Sequence, residues 1–98
     1  MEELDSVIHQ PARLRIMASL VTLGAGEQME FVYLRALIKL TDGNLGAHLA
    51  KLEVAEYVKI EKTFIARKPK TFVAVTERGR AAFSAHVKAL TDILGQTK

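Results

Sequence analysis

Asn44, Ala47, His48 and Lys51 recur at helical spacing within KLTDGNLGAHLAKLEVAEYV, residues 39–58. At about 100° per residue they form a stripe centred roughly 110° from Leu45, Leu49 and Leu52, whose i, i+4, i+7 spacing marks a buried face. The Asn44 amide carries the paired donor and acceptor that match an adenine edge, Lys51 can reach guanine or a phosphate, and His48 can meet either. That is the chemistry of reading base edges in a major groove. The same spacing also fits an ordinary amphipathic helix whose polar side faces water.

A second group lies downstream. Between Lys59 and Arg80 stand Lys59, Lys62, Arg67, Lys68, Lys70, Arg78 and Arg80 against only Glu61 and Glu77, in a chain whose net charge is +3. A local basic patch on an otherwise slightly acidic chain is a candidate phosphate-binding surface, with a solvated charge run as the alternative. Gly43 and Gly46 each cost about 1 kcal/mol relative to alanine inside a helix. Either they permit close approach to phosphates at a helix start, or they are simply tolerated there.

Other chemistries find little support. With no cysteine among 98 residues, disulfides, thiolate metal sites and cysteine nucleophiles are excluded. His9 and His86 have no second histidine at metal-ligand spacing. Ser6, Ser19 and Ser84 lack triad spacing, and no glycine-rich phosphate loop or carboxylate pair is evident. Neither an enzyme nor a cofactor is expected.

The elements that would position these residues follow from periodicity. Residues 4–23 look helical, with Leu4, Val7, Ile8, Leu14, Met17, Ala18 and Val21 near one side. Pro11 breaks the ladder, so a short first turn should precede a helix with Pro11 at its first position. Gly24-Ala25-Gly26 would end that helix, and residues 27–31 are either a connecting loop or a brief edge strand. Residues 32–39 predict a second helix with Leu34, Leu37 and Ile38 inward. Thr41 fits the N-cap of the next helix and Asp42 the positive end of its dipole.

Residues 57–65 and 71–75 read as strands, the first with Val58, Ile60 and Phe64 inward. The turn over residues 66–70 contains Pro69 and would carry Arg67, Lys68 and Lys70 at its tip. Thr76 can cap a final helix over 76–95, with Glu77 in its first turn. Phe83, Val87, Leu90 and Leu94 then follow the 4-3-4 spacing of a coiled-coil seam, which suggests a homodimer. The alternative is that this stripe closes the subunit's own core.

The length fits one domain over 1–98, and 49% apolar with 26% charged residues is an ordinary soluble balance. No run of about 18 apolar residues is present, and the acidic start MEELD lacks the basic n-region of a secretory signal. No membrane association is expected, and the expected location is cytoplasmic.

In this order the motifs HQPARLRIMASL (9–20), LTDGNLGAHLAKLE (40–53) and FIARKPKTFVAVTERGRAAF (64–83) resemble the small stand-alone winged-helix regulators related to the MarR-like and ArsR-like repressors. The resemblance covers nearly the whole chain. It implies an α+β winged helix-turn-helix fold, with the helix-turn-helix at about 32–55, the wing hairpin at about 57–75 and terminal helices for dimerisation. It also implies double-stranded DNA as partner and a homodimer on a pseudo-palindromic operator, with a small-molecule effector as a further possibility. Carried over by position, Thr41, Asp42, Asn44, Ala47, His48 and Lys51 would face bases. Arg67, Lys68 and Lys70, with Lys62 from the preceding strand, would meet the backbone or minor groove. Leu4, Val7 and Ile8 would join Phe83, Val87, Leu90 and Leu94 in the dimer contact.

Several positions depart from the family pattern. Val32 stands where a serine or threonine commonly begins the second helix. Gly46-Ala47 replaces a hydroxyl and a longer polar side chain, which thins the base-reading surface. Glu56 stands where a glycine often ends the recognition helix. The alternatives to a sequence-specific regulator are a non-specific DNA-binding protein and a winged helix used to dock an acidic protein.

Overall fold

Pro11 opens the first helix of the computed structural model, which describes residues 3–96. Helix α1 spans Pro11–Leu20, and Gln10 caps it by accepting from the Arg13 N–H at 3.0 Å. The helix starts at Pro11 after a short turn, as expected, but ends at Leu20, short of the expected residue 23. Residues 6–9 form a separate turn, in which Asp5 Oδ1 accepts from the Val7 and Ile8 N–H groups at 2.8 and 3.1 Å. At the far end Thr22 Oγ1 donates to the Ser19 carbonyl at 2.7 Å, and the chain has left the helix before Gly24. Ile16, Met17 and Leu20 are buried.

Strand β1, Met29–Glu30, is the brief edge strand, followed directly by α2, Phe31–Ile38. Glu30 caps α2 without a side-chain hydrogen bond, so the missing hydroxyl at Val32 has no substitute. Leu34 and Ile38 are buried, but Leu37 is 48% exposed. In eight residues only one narrow arc can face the core, and Leu37 sits about 100° from Ile38. Lys39 closes α2 in the left-handed region (φ 56°).

Helix α3, Asp42–Val54, then starts with Thr41 Oγ1 accepting from the Asn44 N–H at 3.1 Å. Leu45, Leu49 and Leu52 are buried as their spacing requires. Glu56 adopts φ 65°, the left-handed conformation that a glycine would take. The Tyr57 N–H reaches the Leu52 carbonyl and the Glu56 N–H the Glu53 carbonyl, both at 2.9 Å. The C-cap geometry thus survives the substitution, at the cost of a strained side-chain-bearing residue.

Strands β2 (Val58–Ile65) and β3 (Lys68–Val75) form an antiparallel hairpin, and β1 adds to β3 to give the order β1-β3-β2. Lys68, Pro69 and Lys70 belong to β3, and the turn is only Ala66-Arg67. Both turn residues have positive φ, 52° and 65°, as a type I′ turn demands. Val58 and Val73 are buried, but Phe64 is 74% exposed, because the hairpin runs past the edge of the core.

Helix α4, Glu77–Gly95, begins with Thr76 Oγ1 accepting from the Gly79 N–H at 2.9 Å. A Cβ on Gly79 would stand 2.1 Å from the Tyr57 carbonyl oxygen, so only glycine fits where α4 crosses the exit of α3. Ile8 is fully buried (0% exposed) beside Ile16, Leu20, Leu34 and Leu49. It therefore belongs to the subunit's own core and is lost to the expected dimer contact. Among the described residues, no helix is long and apolar enough to cross a membrane.

Candidate nucleic-acid interface

Among the described residues, nothing covers the face of α3 turned away from the leucines. Thr41, Asn44, Ala47 and Lys51 are exposed on it. His48 is only half-buried and turns back toward α1, with Nδ1 3.4 Å from Arg13 Nη1. Asp42 is engaged across the helix-turn-helix, its Oδ1 2.6 Å from Arg35 Nη1. Directly opposite the leucines runs a ridge of Gly43, Ala47, Ala50 and Val54, all exposed, Val54 at 85%, of which the polar stripe included only Ala47. Adding 100° steps to the leucine register would have found Ala50 and Val54. Short apolar side chains let the helix axis come close to base edges and suit thymine methyl groups. A Cβ at Gly43 or Gly46 would meet nothing within 4 Å, so packing inside the chain does not require glycine at either position.

The hairpin brings its cations to different places. Lys62 shares a sheet face with Ile60 and lines a cleft of about 280 Å³ with Phe31, Gly46, Leu49 and Thr71, between α3 and the wing. Arg67 stands at the apex and Lys68 is exposed beside it. Lys70 Nζ lies 3.1 Å from Glu30 Oε2, which ties β3 to the edge strand and offsets its charge. Of the three predicted wing cations, Arg67 and Lys68 are the ones presented outward.

A half-buried polar brace holds the base of α3. The Tyr57 hydroxyl donates to Asp5 Oδ2 at 2.5 Å, and the Asp5 N–H donates to His86 Nδ1 at 3.0 Å. Burial alone would raise the Asp5 carboxyl, but the hydrogen bonds from Tyr57, Ile8 and Val7 together hold it below its ordinary 3.8. The bond to Asp5 raises the Tyr57 hydroxyl above 10.0. Burial, helped by nearby His9, lowers the His86 imidazole below 6.5. The brace thus links the N-terminal segment, the exit of α3 and α4 through groups far apart in sequence.

Two short helices, an open third helix and a basic hairpin that packs beside it define a winged helix, and comparison with known proteins agrees. The family model described as a winged helix DNA-binding domain matches residues 12–94. The chain belongs to that family. It is 38% identical over 81 residues to an uncharacterized protein of Methanocaldococcus jannaschii, covering 83% of this chain and 85% of the relative. Its fold is similar to that of a transcriptional regulator homologue from Pyrococcus horikoshii, with TM-score 0.84 and 28% identity over 94% of this chain and 88% of that one. The fold also matches NolR from Sinorhizobium fredii, with TM-score 0.65 and 24% identity over 92% and 79% of the two chains. Family and fold are those of DNA-binding regulators.

In this winged helix the remaining predicted contacts divide. Leu4 and Val7 are half-buried, and Val7 and Phe83 pack against the core. Leu90 is half-buried along a groove shared with His9, Pro11 and Leu14. Val87 and Leu94 are exposed, as is Ile93 between them. Among the described residues no group of three or more His, Asp or Glu side chains could hold a metal ion.

Proposed function

We propose that this winged helix protein is a homodimeric, sequence-specific transcriptional regulator. Each subunit places α3 in a major groove, and two half-sites lie about one helical turn apart. The observation that carries the reading is that the α3 face bearing Asn44, Ala47 and Lys51 is left open by the other described residues, while Lys62 flanks it from the hairpin. Asn44 and Lys51 read base edges, the ridge through Ala47 and Ala50 allows a close seat, and Arg67 and Lys68 add affinity through counterion release. Helix α4, about 28 Å long by its residue count, exposes every residue from 91 to 95 and carries Val87, Ile93 and Leu94 as an apolar contact for a second copy.

Fluorescence-anisotropy titration against a random duplex and a selected-sequence duplex, each at several salt concentrations, tests the reading. A salt slope equivalent to roughly 6–10 phosphates per dimer with at least about 10³-fold preference for the selected site is expected. A steep slope without preference would mark a non-specific DNA-binding protein. Binding to neither duplex would leave the protein-docking alternative, for which the apolar ridge ending at Val54 supplies a surface.

A further inference from the structure

Phe64 occupies a position that the subunit's own packing does not explain. It is 74% exposed near the end of an eight-residue strand, and Ile65 beside it is half exposed. The register pairs Ile65 with Lys68 across the two-residue turn and Phe64 with Pro69. In a hairpin closed this way the Phe64–Pro69 pair is the non-hydrogen-bonded one, so Pro69 costs no ladder bond and the two side chains stand close together. The pleat puts this pair on the sheet face of Val58, Ile60 and Lys62, the face that meets α3 at Gly46 and Leu49.

The surroundings of the pair narrow what it can meet. Lys62 lies two residues back on the same face, Arg67 holds the apex in a left-handed conformation, and Lys68 follows. No acidic residue occurs from Lys62 to Thr76. An apolar tip ringed by cations complements a polyanion that offers an apolar slot between its charges, which describes a base step seen between the two phosphate strands of a duplex. The tip is narrow, because Ala66 and Arg67 make the tightest turn a hairpin allows, with two residues of positive φ and no glycine. A two-stranded ribbon is still wide for a minor groove of about 6 Å, so entry must open the groove.

We infer that Phe64, backed by Pro69, is an apolar wedge that the wing drives into the minor groove beside each half-site, unstacking a flexible pyrimidine–purine step and bending the DNA away from the wing. The inference rests on the DNA-binding reading above. It adds an indirect-readout element to a base-reading helix whose polar side chains are few.

The test uses the full-length protein and a selected-sequence duplex labelled at both ends for energy transfer, with 2-aminopurine at the step facing the wing. The wild type should shorten the end-to-end distance and brighten the 2-aminopurine. Phe64→Ala, at an exposed site that leaves the fold intact, should keep the salt slope, lose the bend and the brightening, and bind about tenfold more weakly. Phe64→Leu should retain the bend. A wild type that binds without bending, or a Phe64→Ala protein that bends the duplex as well as wild type, would overturn the wedge and leave the DNA-binding reading standing. Phe64→Ala that changes the mass of the free protein would also overturn it, by assigning Phe64 to contact between copies. Absence of binding to any duplex would remove both.

Discussion

His86 Nδ1 accepts the backbone N–H of Asp5 at 3.0 Å across 81 residues of sequence, which fixes the imidazole as a neutral acceptor. His86 is 1% exposed, and its Nε2, the ring's other nitrogen, has no partner among the described residues. Protonation would put an N–H against the Asp5 N–H, so the native state resists it. The unfolded chain takes up that proton below about 6.5, whereas the fold does so only at lower pH. Stability is therefore complete above that value and declines as pH falls through it. Asp5 adds a second decline below 3.8, and Tyr57 sets the opposite limit, with stability lost as pH rises beyond 10.0. Urea unfolding at pH 5.0, 6.0 and 7.5, values chosen to bracket the histidine range, should show a midpoint falling with pH. His86→Phe should flatten that trend, and an unchanged trend would reassign it to another group.

Glycine is absent at Glu56, where the backbone would favour it, and present at Gly79, where a side chain is forbidden. Glu56 sits at φ 65° with its carboxylate 3.1 Å from Arg78, both side chains exposed. An exposed pair contributes little, while a left-handed non-glycine residue costs about 1–2 kcal/mol. Glu56→Gly should therefore stabilise the fold by about 1 kcal/mol, raising Tm by about 4–8 °C for a domain of this size. Gly79→Ala should do the reverse, losing about 1–3 kcal/mol as α4 is pushed off the Tyr57 carbonyl. Thermal melts of both variants check the pair, and a lower Tm for Glu56→Gly would mean that the Arg78 contact outweighs the backbone strain.

The wing cations should not behave alike. Arg67 and Lys68 project at and beside the apex, whereas Lys70 is already paired with Glu30. Replacing Arg67 and Lys68 by alanine should weaken binding to every sequence about equally and reduce the salt slope by about two. Lys70→Ala should reduce it by less than one. Equal slopes for Lys70→Ala and Arg67→Ala, measured by anisotropy, would show that Lys70 leaves Glu30 to meet phosphate.

Much of this was legible in the sequence, and the gaps have physical causes. The leucine stripe of α3 and the caps at Thr41 and Thr76 are local, so spacing and side-chain chemistry suffice to read them. Two residues of β1 are too few to show alternation, so a third strand emerges only from its pairing with Val73 and Phe72. Alternation put Phe64 on the same face as Val58 but could not tell that no described residue covers the far end of that face. Periodicity likewise grouped Ile8 with Leu4 and Val7, although the Asp5-capped turn rotates it into the core. The ridge through Ala50 and Val54 was missed because alanine and valine carry no polar signal.

Ile8 and Leu94 separate core from contact surface. Ile8 is fully buried, so Ile8→Ala should cost about 2–5 kcal/mol in urea unfolding and leave the assembly of the remaining folded protein unchanged. Leu94 is exposed on the last turn of α4, so a charge there should cost the subunit almost nothing. If α4 forms the seam, Leu94→Glu buries a carboxylate against an apolar partner surface and shifts the protein toward half its mass in light scattering. Leu90→Glu should act on both counts, since Leu90 is half-buried along the groove to Pro11 and Leu14. A Leu94→Glu protein that keeps the wild-type mass would move the contact off α4 and onto the N-terminal segment around Leu4 and Val7.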